Sequence, residues 1–345
     1  MRPLSKNMAK RAGIILRDIN ATEDKVKEAN TIVSEWREAH QEILDFYHDL
    51  LKTTALSLDS DALCVSRLKR YDTIIGKLKR PGLHMNLNQM HDIAGCRAIV
   101  SDNDCVYAVK DGLEAALKNK NMPGIKDYIH QPKKNGYRSL HLICQHDSSL
   151  AGLKDLYCEI QVRTRLQHEW ATALETYDVV CGSGLKFDNG SLDEARIFAL
   201  ISNVFAIKEN AALVPCVSAD LNELRSEIIE LDNKLKLLDR LAACSGSVSV
   251  VATSGNFSDN AYCLMCVDYG EQKTDLFIYD DYEDLRTNEL YTRQEEMKKD
   301  LQDVLLVKVS SLKGLQEAYP SYSMDIKGFL NTVNEFLVAN VRMSC

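Results

Sequence analysis

Between residues 23 and 56 apolar side chains recur every three or four positions: Val26, Ala29, Ile32 or Val33, Trp36, Ile43, Phe46 and Leu50. That spacing predicts one long amphipathic helix. The basic stretch 62–80 reads as further helix, stopped by Pro81-Gly82. The period then shortens: 93–100, 124–130, 139–145 and 156–163 read as strands, with helices over 104–119 and 165–178. Cys181-Gly-Ser-Gly184 and Asp188-Asn-Gly190 mark loop, and Ser191 with Glu194 forms a capping box that opens a helix through 207. Leu221, Leu224, Ile228, Leu231 and Leu235 give a stripe on a helix over 218–242. From about 246 the pattern predicts strands at 248–252, 262–269, 274–279 and 304–309, with Gly270 at a hairpin tip. Helices follow the pattern at 283–300, 312–318 and 324–340.

This order implies the α/β (α+β) class, a mixed β-sheet flanked by helices. The expected division is an N-terminal helical segment (1–58), a sheet domain (59–185), a helical extension (186–245) and a separate small α/β domain (246–345). With 345 residues, 45% hydrophobic and 27% charged, the chain can bury several cores. No apolar run approaches a membrane span, and Ile14-Ile15-Leu16 is too short for a signal peptide, so a cytoplasmic protein is expected. Eleven cysteines at irregular spacing read as reduced, packed thiols. The one CxxC, Cys263 and Cys266, lies in a strand pattern and lacks the further ligands zinc requires.

The net charge of −8 excludes a protein that binds nucleic acid with its whole surface, yet it hides local contrast. Within 64–80, the cations Arg67, Lys69, Arg70, Lys77, Lys79 and Arg80 face the single acid Asp72. A basic island in an acidic protein suggests a confined anionic ligand. Arg67, Lys69 and Lys77 do not share one helical face, so a break must bring them together. Asp92 opens an apolar strand and Glu159 lies inside another, where an acid costs desolvation unless a cation or metal meets it. On neighbouring strands the two carboxylates can converge on one Mg²⁺. The alternative is that each pairs with an arginine such as Arg97 or Arg163.

Four stretches in order, SRLKRYDTIIGKLKR, DIAGCRAIV, YIHQPKKNGYRSLH and EIQVRTRLQHEWATALE, resemble the synthetase domain of the RelA/SpoT family. The resemblance covers about residues 60–178. It implies a nucleotidyltransferase-like domain that moves the β,γ-pyrophosphate of ATP onto a ribose 3′-hydroxyl, with GDP or GTP as acceptor. By that resemblance Asp92 holds Mg²⁺, while Glu159 assists the metal and deprotonates the acceptor hydroxyl. Arg67, Lys69, Lys77 and Arg97 match the ATP-binding cations. Tyr137 matches the aromatic that stacks on the acceptor base, with Gly136 permitting an unusual turn. Lys133, Lys134 and Arg138 are expected at the acceptor phosphates and His141 and His168 near the acceptor. Gln161 and Arg163 share a strand face with Glu159 and are expected to fix it.

After the WATALE stretch many family members carry a His and then Tyr-Lys; here the text is Glu175-Thr-Tyr-Asp. Nothing in 1–60 supplies the His and Asp ligands of the family's hydrolase domain. The resemblance also admits a toxic member that pyrophosphorylates the 3′ end of tRNA or adenosine nucleotides, with 246–345 as a neutralising or regulatory domain. A sensor or a homo-oligomerisation role for 246–345 is equally compatible, whereas the retained Asp92, Glu159 and basic pocket speak against a non-catalytic nucleotide-binding protein on the same fold.

Overall fold

A computed structural model describes residues 4–80, 82, 85–117, 122–149, 153–185, 190–245, 249–254, 261–268, 271, 273–279, 291, 294–295, 297, 302–308, 311–319 and 326–339. Gly270 and most of the helix expected over 283–300 lie outside the described residues.

The N-terminal pattern folds as α1 (Lys6–Ile15), α2 (Glu23–Glu38) and α3 (Gln41–Leu58), so the single helix expected over 23–56 is two. The break has a local cause. The His40 backbone N–H turns tightly onto the Arg37 carbonyl, and the buried His40 ring takes the Trp36 carbonyl instead, Nδ1 to O 2.7 Å. Burial brings the His40 pKa down to about 4, so its Nδ1–H donates as a neutral imidazole.

The basic stretch also departs from helix. Leu63–Leu68 is a strand, β1, and only Tyr71–Lys79 is helical, as α4. In β1, side chains alternate: Val65 packs into one apolar cluster while Leu68 packs into another. Then follow β2 (Ala94–Val100), α5 (Asn103–Leu117), β3 (Gly124–Asp127), β4 (Leu140–Ser148) and β5 (Leu153–Thr164). The helices α6 (Arg165–Cys181), α7 (Leu192–Lys208), α8 (Leu221–Leu235) and α9 (Leu237–Cys244) come next. The helix expected over 218–242 breaks at Lys236, whose φ of 54° is left-handed. The remaining elements are β6 (Ser249–Ser254), β7 (Tyr262–Asp268), β8 (Lys273–Tyr279), β9 (Gln302–Lys308), α10 (Leu312–Ala318) and α11 (Lys327–Val338).

Among the described residues nine strands form one mixed sheet in the order β3-β4-β5-β2-β1-β9-β7-β8-β6. β2 runs parallel to β5 and β6 parallel to β8; the other pairs are antiparallel. The boundary expected near 246 therefore falls inside a continuous sheet: β9 pairs with β1 at Ser66↔Lys308 and Arg67↔Val307. Side chains reinforce the junction. Arg37, 4% exposed, pairs with Glu295 at 2.6 Å, Lys308 reaches Asp49 at 3.3 Å, and Tyr262 hydrogen-bonds Asp45.

On β2, β4 and β5 the even-numbered residues, such as Cys96, Cys144, Cys158 and Ile160, pack with α3 and α5 in one core. The opposite face carries Gly95, Arg97, His141, Glu159, Gln161 and Arg163 (side chains alternate along a strand). Cys263 and Cys266 lie on opposite faces of β7, as their odd spacing requires, and so do not converge on a metal. No helix among the described residues is long and apolar enough to cross a membrane.

Candidate active site

The parallel pairing of β2 and β5 sets Gly95 beside Glu159 and Arg97 beside Gln161. On the other side of β2, Arg67 lies beside Gly95 and Val65 beside Arg97. Asp92 stands just before β2, where the Lys69 N–H donates to the Ile93 carbonyl at 2.8 Å. Strand β1 thus delivers Arg67, the link after it delivers Lys69, and α4 folds back to deliver Lys77. That is the break required by three cations that share no helical face.

Asp92 is gripped from two directions. Lys69 Nζ lies 2.8 Å from Oδ2, and Lys77 Nζ lies 3.0 Å from Oδ1. Burial alone raises a carboxyl pKa, but the two ammonium groups outweigh it and hold Asp92 far below the usual carboxylate range. Arg97 and Arg163 are not its partners.

Glu159 sits among His141, Gln161 and the like-charged Asp92. Burial works to raise its pKa, but the His141 ring, Nδ1 3.5 Å from Oε1, and the Gln161 amide, Nε2 2.8 Å from Oε1, bring it below its ordinary value. His141 Nε2 lies 2.9 Å from the Tyr137 hydroxyl, which completes a chain Tyr137–His141–Glu159. Tyr137 meets Tyr128 edge to face, with centroids 5.9 Å apart, and Lys133 Nζ sits 4.9 Å from the Tyr137 centroid and 4.7 Å from that of Tyr128. Lys134 is exposed on the same loop. Tyr128 is an aromatic of this cluster that reading the sequence passed over, although it opens the YIHQPKK stretch.

Three expected contacts lie elsewhere. Arg138 is 3% exposed and points beneath α7, where Nη2 lies 3.4 Å from Asn203 Oδ1. It lines a small cavity there with Trp170 and Phe205. His168 is 5% exposed and has both ring nitrogens engaged: Arg163 Nη2 donates to Nδ1 at 2.5 Å, and Nε2–H donates to the Glu317 carbonyl at 2.7 Å. Burial and the neighbouring guanidinium groups hold His168 neutral. Arg163 accordingly holds His168, and Gln161 alone of the expected pair bonds Glu159. Gly136, with φ of 98°, does adopt a left-handed turn. Its close approach, however, is to Trp170 and to Ser202, which donates to its carbonyl at 2.6 Å.

The end of α10 covers the arginine side of the cleft. The Tyr319 ring centroid lies 5.8 Å from the Arg67 guanidinium carbon and 6.0 Å from that of Arg97. The Ala318 carbonyl lies 3.4 Å from Arg97 Nη1. A helix C-terminus carries partial negative charge, so the free carbonyls of α10 suit this arginine cluster. No sequence signal marked 317–319, because their partners lie some 150 to 250 positions upstream.

Asp92, beside Lys69 and Lys77, and Glu159 on β5 supply the carboxylate donors that suit a hard divalent cation bound through one or two carboxylates and completed by phosphate oxygens. Among the described residues no group of three or more His, Cys, Asp or Glu forms a metal cage by itself.

Residues 66–177 match the model of the region found in RelA/SpoT proteins. Over 112 residues the chain is 38% identical to the GTP pyrophosphokinase YwaC of Bacillus subtilis (strain 168), covering 31% of this chain and 53% of that protein. It is 34% identical over 108 residues to the GTP pyrophosphokinase YjbM of the same organism, covering 31% and 51%. The chain thus spans about half the length of the curated relatives it matches. The crystal structure of small alarmone synthetase 1 from Bacillus subtilis bound to its product pppGpp is similar at 22% identity and a TM-score of 0.44, covering 56% of this chain and 98% of that one. A mixed sheet with Glu159 on one face and the Lys69–Asp92–Lys77 cluster just before β2 defines an α/β domain with a charged site. More particularly, residues 66–177, about a third of the chain, resemble the region found in RelA/SpoT proteins.

Proposed function

We propose that this protein is a pyrophosphokinase that transfers the β,γ-pyrophosphate of ATP to the ribose 3′-hydroxyl of GDP or GTP, in the cytoplasm. The observation that supports the reading is the Lys69–Asp92–Lys77 cluster just before β2, next to the parallel pairing that sets Gly95 of β2 beside Glu159 of β5. The similarity to two GTP pyrophosphokinases of Bacillus subtilis supports it.

Arg67 and Arg97 present two guanidinium planes to a donor base, and Lys69 and Lys77 leave Asp92 for phosphate oxygens as the donor enters. Mg²⁺, held by Asp92 and Glu159, would neutralise charge on the transferred group. Tyr137 offers its ring to the acceptor base, and the exposed Lys133 and Lys134 stand ready for acceptor phosphates. Glu159, kept ionised by His141 and Gln161, accepts the 3′-hydroxyl proton. The ribose oxygen bonds to the β-phosphorus as the bond from that phosphorus to the α,β-bridging oxygen breaks, and AMP leaves. Catalysis of this kind rests on positioning and charge neutralisation.

A second reading keeps the chemistry and changes the acceptor to the 3′ end of tRNA, with 246–345 as a built-in brake. The observation that favours it is Tyr319, whose ring takes the space between Arg67 and Arg97 that the donor base needs. A synthetase whose product harms its host requires such closure. The test incubates the purified full chain, and a Tyr319→Ala variant, with Mg²⁺, labelled ATP and GDP, GTP, ATP or bulk tRNA in turn. Label on guanosine nucleotides supports the first reading, and label on tRNA alone replaces it with the second. No transfer by either protein removes both.

A further inference from the structure

Gly95 is the second residue of β2 and is paired on both sides, a place where glycine weakens the sheet by its entropy and by leaving nothing to pack. Two reasons ordinarily account for such a residue, and neither holds here. Its backbone is outside the left-handed region, so any residue adopts it. A side chain would also have room: among the described residues a Cβ at 95 meets only the Arg67 carbonyl oxygen within 4 Å, at an ordinary 3.8 Å. Gly136 is the contrast, for there both the positive φ and the crowding against Ser202 and Trp170 exclude a side chain.

What Gly95 does have is position. Its register partners are Arg67 on one side and Glu159 on the other. The bare Cα is therefore the floor of the cleft between the arginines and the catalytic acids, a span of roughly 10 Å across two strand spacings. A ligand with its base on the arginines and its reacting phosphorus at Asp92 and Glu159 must cross that floor.

We propose that Gly95 is the donor-channel residue over which the polyphosphate chain of the nucleoside triphosphate lies, its missing side chain setting the depth of the channel. This rests on the donor reading given above. Gly95→Ala and Gly95→Val test it, made in the full chain with Tyr319→Ala as the parent so that the donor site is open. Thermal melting and equilibrium binding of Mg²⁺ with a non-hydrolysable ATP analogue are measured on each. Both variants should melt at or above the parent temperature, since the strand accepts a side chain. Affinity for the analogue should fall about tenfold for Ala and about a hundredfold for Val, the scale of one and of several intruding carbons in a filled site. Parent-like affinity in the well-folded Ala and Val proteins overturns the channel, while the donor reading stands. A parent that binds no analogue overturns the donor reading, and the channel with it. Should Val melt early, the Ala variant alone decides.

Discussion

The ring of Tyr319 lies 6.0 Å from the guanidinium carbon of Arg97, over a residue more than 200 positions away that belongs to the RelA/SpoT segment. Tyr319 is 5% exposed and is held there by the α10 carbonyls as well as by its ring. Its removal should open the donor site. Tyr319→Ala is expected to bind ATP at least about tenfold more tightly, the gain from removing a competing closed state. Calorimetric titration checks this, and equal affinity in the two proteins rejects the brake.

Glu159 is the proposed base, and its neighbours keep it charged. Glu159→Gln should lower turnover by about 10²–10⁴-fold while ATP affinity in the Tyr319→Ala background changes little. Single-turnover kinetics beside a binding titration separates the two. Turnover that survives the substitution takes proton removal away from this residue.

Tyr137→Ala should weaken the acceptor by about 1–3 kcal/mol, the range for a base stacked on an aromatic ring, and leave the donor KM in place. Equal effects on both substrates count against stacking.

Glu169, on the buried side of α6, has an oxygen without a hydrogen-bond partner and is backed by Gly328 of α11. Burial raises its pKa from the ordinary 4.5 to about 7, with Lys208 and Arg165 pulling down and Glu209 pushing up. Between those pH values the folded protein keeps a proton that the unfolded chain has lost. Stability should therefore fall as pH rises from about 4.5 to about 7 and stay level above. Glu169→Gln, neutral throughout, should be more stable than the parent at pH 8 by on the order of 1–3 kcal/mol and lose that slope. Urea unfolding at pH 5 and pH 8 measures both.

Gly76 is exposed inside α4, and a Cβ there meets nothing within 4 Å. Gly76→Ala should stabilise the protein by about 1 kcal/mol, read as a higher urea midpoint. An unchanged or lower midpoint would mean that α4 needs the backbone freedom.

The strands around Asp92 and Glu159 were largely legible because each keeps its own two-residue period and its punctuation, whereas their order in the sheet was not. The failures have physical causes. In 63–68 the alternation of Val65 and Arg67 with Ser66 and Leu68 was masked by the cations that follow, so a strand read as helix. At His40 the three-to-four spacing runs on through a break, since a buried ring replaces one backbone bond and the apolar face keeps its phase. The covering of Arg67 and Arg97 by Tyr319, and the pairing of β1 with β9, are contacts across more than 200 residues that no local period encodes. Arg138 and His168 illustrate a further limit. A motif names which residues matter, but whether a side chain faces the cleft or the helices behind it depends on what packs there.

Because β9 is laced to β1 in the interior of the sheet, cutting the chain after 245 would turn an inner strand into a raw edge. It would also strip the apolar cover from Val65 and Ile99. Open edges of that kind recruit one another, and the shortened protein should precipitate whatever its enzymology.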